Sequence, residues 1–208
     1  MTRIDTPTVM IVDDDNRLRA AMQRLLKTVG LRAELFASPE EFLRREHPNG
    51  PCCLVLDLRL PGMSGLEVQK KLLDLGSQIP VVFITGHADI PVTVKAMKSG
   101  AVEFLTKPFR DQDFIDAIQQ ALRRDGEVRK QQSEIAELQD RYAKLTLRER
   151  EVMLLVVSGM LTKQIASRLG TTEVTAAVHR GQVMHKMRAN SPAELGRIAE
   201  RLKLPTSS

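Results

Sequence analysis

The chain has 208 residues, of which 42% are hydrophobic and 27% charged, a balance that is typical of one large or two small globular domains and excludes wholesale disorder. No apolar run reaches the roughly 18–20 residues that cross a bilayer, no signal-peptide core is evident, and the two cysteines are adjacent, which excludes a disulfide or cysteine-zinc scaffold; we expect a cytoplasmic, non-membrane protein. The net charge of +5 is uneven, because residues 1–125 hold 17 basic and 17 acidic side chains whereas residues 143–208 hold 11 basic and 5 acidic, which favours a nucleic-acid-binding unit at the C-terminal end.

Short apolar runs alternate with helical patterns through the first 125 residues. Five runs are predicted as strands: Thr8–Val12, Arg32–Phe36, Cys52–Asp57, Val81–Thr85 and residues 102–105. Strands separated by helical segments of about 10–15 residues indicate βαβ units and a parallel sheet covered on both faces. Ser38 and Ser64, each followed three residues later by glutamate, predict helix starts with capping boxes. The predicted fold class is therefore α/β, a five-stranded doubly wound parallel sheet.

Polar side chains gather where the predicted strands end. Asp13 and Asp14 follow the first strand, Asp57 ends the third, Thr85 ends the fourth and Lys107 follows the fifth. The carboxyl ends of parallel strands meet at one edge of the sheet, where ligands bind. Three carboxylates at that edge favour a bound cation, and Mg²⁺ prefers such oxygen ligands. With a lysine and a hydroxyl beside it, Asp57 is predicted to be a nucleophile that forms an aspartyl phosphate.

Each of these residues also has an ordinary structural interpretation. Asp15 or Asn16 is expected to cap the first helix, Asp57 could begin the turn that follows it, and the lysine could be solvated. Polar residues occur at the ends of four predicted strands at once, and this combination favours the phosphoryl-transfer interpretation. We also predict a cis peptide bond between Lys107 and Pro108.

Four segments resemble the receiver domain of two-component response regulators, which has a flavodoxin-like fold. They are IVDDD at residues 11–15, VLDLRLPGMSG at 55–65, FITGHAD at 83–89 and KAMKSGAVEFLTKPF at 95–109. The resemblance implies a phosphorylation site with catalytic, metal-binding and switch residues: phosphoacceptor Asp57; Mg²⁺ ligands Asp13, Asp14, Asp57 and the main-chain carbonyl of Arg59; phosphate-binding Lys107; and switch residues Thr85 and Phe104. Arg59 and His87, two residues beyond Asp57 and Thr85, are expected to tune phosphate lifetime or to be exposed loop residues.

A charged helical segment follows this region. Phe114, Ile118 and Leu122 share one face of a helix predicted for residues 110–124. Further apolar residues continue at spacings of seven, three, four and three: Val128, Ile135, Leu138, Tyr142 and Leu145. This heptad-like spacing predicts a helical linker over residues 126–142. A dimer-forming helix and an amphipathic helix packed on either domain both fit the pattern.

The last third of the chain predicts only helices. Four starts are marked: Thr146 with a capping box to Glu149, Thr162 before a short helix that ends at Gly170, Thr172 before a helix through about Met187, and Ser191 before Pro192. A short helix, a tight turn containing glycine and a longer helix make a helix-turn-helix, an arrangement that reads DNA.

Helical spacing assigns two faces to the helix that Thr172 opens. One stripe is expected to pack inward: Ala176, His179, Val183 and Met187. The opposite face is expected to enter the major groove: Thr175, Val178, Gln182 and His185. Phosphate contacts are expected from basic residues nearby: Lys163, Arg168, Arg180, Lys186 and Arg188.

Residues 145–187 resemble the LuxR-type helix-turn-helix of NarL/FixJ response regulators. The family usually has Thr-Val-Lys where this chain has Thr175-Ala176-Ala177, and often a basic or polar residue where it has Gly181. The missing side chains at Ala177 and Gly181 make Val178, Gln182 and DNA shape the expected sources of specificity.

These patterns predict a response regulator and transcription factor, not an enzyme acting on separate substrates. The expected organisation is a receiver domain at residues 1–125, a helical linker at 126–142 and a small all-α DNA-binding domain at 143–208. Expected partners are a sensor histidine kinase, double-stranded promoter DNA, and RNA polymerase as a further candidate. Phosphorylation is expected either to join a second copy of the chain through residues 91–124 or to release the DNA-binding domain.

Two other classes stay open. The first is a Mg²⁺-dependent phosphatase of the haloacid-dehalogenase type, which needs a second acid where this chain has Arg59. The second is a phosphorylation-gated interaction protein whose helix-turn-helix has lost DNA binding, as the small residues Ala177 and Gly181 would allow.

Overall fold

The structure is a computed structural model that describes residues 6–45, 48–86 and 90–205, the side chains of residues 90–92 excepted. The chain divides into two compact units, Met1–Arg129 and Lys130–Ser208. None of the helices in the described ranges combines the length and the apolar character needed to cross a bilayer. His87, with its expected effect on phosphate lifetime, lies outside the described residues.

The first unit is built from alternating strands and helices. The strands are β1 (Thr8–Val12), β2 (Arg32–Phe36), β3 (Cys52–Asp57), β4 (Val81–Thr85) and β5 (Glu103–Thr106). The helices are α1 (Asn16–Thr28), α2 (Pro39–Leu43), α3 (Gly65–Asp74), α4 (Ile90–Lys98) and α5 (Asp111–Ala143), the last of which continues into the second unit. All the strands pair in parallel in the order β2-β1-β3-β4-β5, which confirms the predicted sheet.

Four of the five strands have the predicted bounds, and the fifth is shifted by one residue. It ends at Thr106 because this residue pairs in register with Thr85 on β4. Val102, predicted to begin the strand, lies just before it and donates its amide to the carbonyl of Val81 at 2.8 Å. Shifts of this size are common where strands begin and end.

The sheet is covered by helices on both faces, so its strands are continuous apolar runs. Residues at alternate positions of each strand enter two separate core clusters. Met10 and Leu54 pack with residues of α2 and α3, whereas Ile11 and Val55 pack with residues of α1 and α5. This alternation follows from the two-residue period of a strand and fixes which strand-end side chains face the same way.

Polar caps define the helix starts of the first unit. Ser64 and Glu67 form the predicted capping box, in which each side chain accepts a hydrogen bond from the other residue's main-chain amide. Ser38 caps α2 by accepting from the amide of Glu41, but the Glu41 carboxylate accepts from the amide of Ala37 at 2.8 Å. The capping box predicted at Ser38 is therefore only half formed, because the Glu41 carboxylate accepts from the amide of Ala37 and not from that of Ser38.

The second unit is all helical. It contains the end of α5 and then α6 (Leu147–Val157), α7 (Thr162–Arg168), α8 (Glu173–Met187) and α9 (Pro192–Arg201). The caps predicted at Thr146, Thr172 and Ser191 are confirmed. The prediction for Thr162 is wrong by one residue: Leu161 is the N-cap, and its amide donates to the Gln164 side chain at 2.8 Å.

The connector is helical, as predicted, because α5 runs through it without a break. Leu138 and Leu145 are buried in the core of the second unit, and Tyr142 packs against the same core. The last three apolar positions of the predicted seam are thus used inside this unit. For that part of the linker, the packing supports an amphipathic helix that contacts its neighbouring domain.

Candidate functional site

The carboxyl edge of the sheet brings the predicted polar residues together. Val12 pairs with Leu56, so Asp13 and Asp57 follow at neighbouring positions on β1 and β3. On the other side of β3, Thr85 ends β4 and pairs with Thr106, the residue before Lys107. The strand register therefore places the acids and the lysine on one edge.

Lys107 joins two of the acids directly. Its ammonium lies 2.7 Å from Oδ2 of Asp13 and 2.6 Å from Oδ2 of Asp57. Asp13 is fully buried and Asp57 nearly so, whereas the lysine side chain is 22% exposed. The peptide bond between Lys107 and Pro108 is cis, which confirms the prediction. The partly exposed lysine therefore contacts both buried carboxylates.

Burial and charge act against each other in this cluster. Burial raises the pKa of the Asp13 carboxyl, and the hydrogen bonds from Lys107 and from the amide of Asp15 oppose that rise without cancelling it. Burial alone would lower the pKa of Lys107, but hydrogen bonds to Asp13 and Asp57 outweigh it and raise the value. The ammonium therefore keeps its charge, which suits a group that binds phosphoryl oxygens.

The turn after β1 holds Asp13 and Asp14 in place. The amide of Asp15 donates to Oδ1 of Asp13 at 2.8 Å, while the Asp15 carboxylate caps α1. The cap lowers the pKa of the Asp15 carboxyl, through its hydrogen bonds from the amides of Leu18 and Arg17. The expected cap at Asp15 or Asn16 is thus at Asp15. From α1, the Arg19 guanidinium donates to the main-chain oxygen of Asp13.

Asp13, Asp14 and Asp57 form a cluster that could hold a metal ion. Each offers a carboxylate oxygen, and these oxygens lie within 4.8 Å of one another. Asp14 is exposed, whereas the other two acids are buried, so the cluster opens to solvent on one side. Hard oxygen donors on a partly open site fit Mg²⁺, which keeps several water ligands. The donor set therefore fits the predicted cation.

The loop after β3 approaches Asp57 closely. The amide of Arg59 donates to Oδ1 of Asp57 at 2.9 Å, which leaves the exposed Arg59 beside the acid. At Gly65, the first residue of α3, an added Cβ would lie 2.5 Å from the main-chain oxygen of Asp57 and 3.1 Å from the ring of Phe83. Glycine is therefore required at this position for α3 to begin against the end of β3.

The two expected switch residues lie on neighbouring strands. Thr85 is fully buried, and its main-chain oxygen accepts from the amide of Lys107 at 2.7 Å. Phe104 pairs with Phe83 in the sheet and is half-buried against one core cluster. Thr85 thus lies at the carboxyl edge of the sheet, and Phe104 lies two residues before the end of β5.

The second unit presents the predicted groove-facing side of α8 to solvent. Four of its residues are exposed, as is one lysine of α7: Thr175, Val178, Gln182, His185 and Lys163. Val178 is 56% exposed, so its side chain is accessible on this face. Ala177 and Gly181 lie on the same helix and are exposed as well. Arg168 and Arg188 are also exposed.

Two basic residues predicted at phosphates have partners inside this unit. The Lys186 ammonium donates to both carboxylate oxygens of Glu149, at 2.8 and 2.7 Å. The Arg180 guanidinium donates to the hydroxyl of Thr162 at 3.2 Å. Lys186 therefore links α8 to α6, and Arg180 links α8 to α7.

The inward stripe of α8 is buried except at one position. Ala176, Val183 and Met187 are fully buried, whereas His179 is half-buried. At 3.6 residues per turn, position 179 lies about 60° from Ala176 around the helix axis, which places it at the border of the stripe. The expectation that His179 is a core residue is therefore only partly correct.

Comparisons with known proteins agree with this geometry. Residues 9–119 match the model of the response regulator receiver domain, and residues 143–199 match that of the luxR family of bacterial regulatory proteins. The chain belongs to the NarL/FixJ family of two-component response regulators. It consists of a receiver domain and a LuxR-type DNA-binding domain, and the acidic edge and the helix-turn-helix described above lie in these two domains.

Similar proteins match almost the whole chain. Nodulation protein W of Bradyrhizobium diazoefficiens is 48% identical over 93% of this chain and 86% of its own length. FixJ of Azorhizobium caulinodans is 41% identical over 92% of this chain and 90% of its own length. The solved structure of response regulator StyR is 44% identical, with a TM-score of 0.87 over 94% of this chain and 99% of that one.

One residue of the receiver site was missed from the sequence. Arg19 is only 8% exposed, although arginines on surface helices are usually solvated. A signal existed, because Arg19 stands three residues before Met22 and seven before Leu26, both buried on α1. A charged residue on an otherwise apolar helical stripe indicates a buried polar contact.

Proposed function

We propose that Asp57 accepts a phosphoryl group from a sensor histidine kinase and that this modification controls DNA binding by the second unit. The observation that carries the proposal is the position of the Lys107 ammonium, 2.6 Å from Asp57 and 2.7 Å from Asp13 on the edge where the three acids converge. A fixed cation beside a carboxylate nucleophile is the arrangement that phosphoryl transfer needs. The family membership established above points the same way.

The chemistry is a transfer between two nucleophiles. A carboxylate oxygen of Asp57 forms a bond to phosphorus while the phosphorus–nitrogen bond of a phosphohistidine breaks, and the released imidazole nitrogen takes a proton from solvent. Lys107 binds a phosphoryl oxygen, and the residues that would hold Mg²⁺ are Asp13, Asp14, Asp57 and, through its main-chain carbonyl, Arg59. When bound, the cation supplies positive charge that offsets the charge of the phosphoryl oxygens.

The response to phosphate is assigned to Thr85 and Phe104. The new phosphoryl oxygens accept a hydrogen bond from the Thr85 hydroxyl, and the ring of Phe104 turns into the space that the threonine leaves. Dimerisation follows through the surface of α4, β5 and α5, within residues 91–124. In this proposal the receiver acts on its own aspartate and hydrolyses the product slowly, so the chain is not an enzyme for separate substrates.

The second unit is proposed to bind double-stranded promoter DNA with α8 in the major groove. Val178 and Gln182 are exposed on the groove-facing side, and Thr175 and His185 flank them. Lys163 contributes positive charge towards the phosphates. Arg180 and Lys186 are proposed to do so as well, beside their contacts with Thr162 and Glu149. A dimer then spans two half-sites about one DNA turn apart. We further propose that the receiver domain ends at residue 125 and that the DNA-binding domain begins at residue 143. The protein is proposed to act in the cytoplasm and to contact RNA polymerase.

The proposal is tested by phosphate uptake from labelled acetyl phosphate in the presence of Mg²⁺. Asp57→Asn should abolish the labelling, because the amide is a poor nucleophile and Asp13, the only other carboxylate paired with Lys107 among the described residues, is fully buried. Asp74→Asn is the matched control, because Asp74 is an exposed aspartate at the end of α3, away from the site. Undiminished labelling of Asp57→Asn would remove Asp57 from its assigned role.

A further inference from the structure

Arg19 is a buried cation beside the acidic pocket. Its guanidinium donates to the main-chain oxygen of Asp13 and, at 3.3 Å, to Oδ1 of Asn16. In the part of the chain that the structure describes, no carboxylate lies within 4.0 Å of it as an ion pair. Burying a guanidinium is costly unless hydrogen bonds and nearby charge compensate for it. The Asp13 carbonyl and the Asn16 side chain are the acceptors that the structure offers in compensation.

Asp13 is held at each of its polar groups. Its amide donates to the carbonyl of Phe36 at 3.4 Å, Oδ1 accepts from the amide of Asp15, and Oδ2 accepts from Lys107. The remaining group is the main-chain carbonyl, which lies beyond the last residue of β1 and accepts from Arg19. The contact therefore fixes the peptide unit between Asp13 and Asp14, the two acids that follow the strand.

We propose that Arg19 is a positioning residue for the cation site: by holding the Asp13 carbonyl, it fixes the turn that directs the carboxylates of Asp13 and Asp14 towards Asp57. The inference rests on the proposed function of the pocket as a Mg²⁺ site. Arg19 touches neither the cation nor the phosphoryl group and acts through Asp13. Groups that orient metal ligands in this way typically change metal affinity by about 10–100-fold when they are removed.

The test compares Mg²⁺ binding by the unphosphorylated full-length chain, measured by calorimetry. Arg19→Met should raise the dissociation constant for Mg²⁺ by about tenfold. The matched control is Arg17→Met, which removes the same charge from the exposed side of the same helix turn and should stay within about twofold of the unaltered chain. Arg19→Lys, which keeps the charge and a donor, should recover part of the affinity.

Two further measurements separate positioning from general stability. The Mg²⁺ concentration that half-saturates labelling by acetyl phosphate should rise by the same factor as the dissociation constant, while labelling at saturating Mg²⁺ stays near that of the unaltered chain. The increase in Tm caused by a fixed Mg²⁺ concentration should shrink. A residue with only a structural role would lower Tm in chelator and leave this increase unchanged.

An Arg19→Met chain that binds Mg²⁺ as tightly as the unaltered chain would overturn the inference. If that variant fails to fold, Arg19→Leu, which also removes the donor to the Asp13 carbonyl, is judged by the same criterion. An unaltered chain that neither binds Mg²⁺ nor takes up phosphate would refute the proposed function instead, so the two failures are distinguishable.

Discussion

The positions of the carboxylates at the acidic edge depend on the conformation of the backbone as well as on charge. The carboxylates of Asp13 and Asp57 are held by main-chain amides of the residues two positions further on, Asp15 and Arg59. Each acid therefore points where its own turn allows. A change in either turn should move the carboxylate even if the acid itself is retained.

Gly65 provides a direct test of this dependence. Gly65→Ala should lower the free energy of unfolding by about 1–3 kcal/mol and reduce labelling of Asp57, because the added Cβ would lie 2.5 Å from the Asp57 carbonyl. Denaturant unfolding and acetyl phosphate labelling measure the two effects.

The control is Gly126→Ala, within α5, where an added Cβ meets nothing within 4 Å. It should raise the free energy of unfolding by up to about 1 kcal/mol, because alanine favours helix more than glycine does. Equal stability of the two variants would show that the close approach at Gly65 is unimportant.

Glu149 links the stability of the second unit to pH. The hydrogen bond from Lys186, followed by that from the Thr146 amide, lowers the pKa of the Glu149 carboxyl below its ordinary value of 4.5. Above that value the carboxylate is ionised in both states and stabilises the fold. As pH falls, the unfolded state binds the proton first, and this contribution is lost as the pH passes through the lowered pKa.

Glu149→Gln should therefore be less stable than the unaltered chain by about 1–3 kcal/mol near neutral pH, because the lysine loses its charged partner. The difference should shrink below a pH of about 4.5. Denaturant unfolding of the second unit, followed by circular dichroism across this range, measures it. Glu151→Gln is the control, since Glu151 is 55% exposed in its pair with Arg148. A difference that is constant with pH would contradict the assignment.

At the scale of secondary-structure elements, α5 is fixed to the sheet near the end of the first unit. The Asp125 carboxylate accepts from the amide of Cys52, the first residue of β3, at 2.8 Å and from Arg129 at 2.5 Å. Arg129 also donates to the carbonyl of Asn49 at 3.1 Å. One turn of the helix thus holds the start of β3, the strand that ends in Asp57.

Asp125→Ala should lower the free energy of unfolding of the first unit by about 1–3 kcal/mol, because it leaves the buried Cys52 amide without its acceptor. Asp140→Ala, at an exposed position of the same helix, should change it by less than about 0.5 kcal/mol. Denaturant unfolding measures both variants. An Asp125→Ala chain as stable as Asp140→Ala would show that the helix is held by its apolar contacts alone.

The DNA contacts proposed for Gln182 on α8 and Lys163 on α7 should affect specificity and general affinity separately. Gln182→Ala should cost about 1–3 kcal/mol on the preferred DNA sequence and relax discrimination at one base pair, because a side chain that pairs with a base edge is lost. Lys163→Ala should weaken binding on all sequences and reduce the slope of log affinity against log salt by about 1. Competition binding at several salt concentrations measures both. A salt-slope change from Gln182→Ala without any change in specificity would contradict the placement of Gln182 at the bases.

At the scale of the whole molecule, the sequence predicts the parts that depend on local pattern. Strand ends carrying Asp13, Asp57 and Lys107 meet because a parallel sheet aligns its carboxyl ends, and the sheet follows from apolar runs. Contacts between elements were not predictable in this way. The reach of Arg19 to the Asp13 carbonyl and of Lys186 to Glu149 depends on side-chain geometry across packed helices and loops.

The central claim is that a phosphoryl group on Asp57 controls how tightly the LuxR-type domain binds DNA. The most direct measurement is the affinity of the full-length chain for an operator selected from random-sequence DNA, before and after treatment with acetyl phosphate and Mg²⁺. The account predicts that affinity rises after treatment in the unaltered chain and stays constant in Asp57→Asn. Equal affinity of the unaltered chain before and after stoichiometric phosphorylation would contradict it.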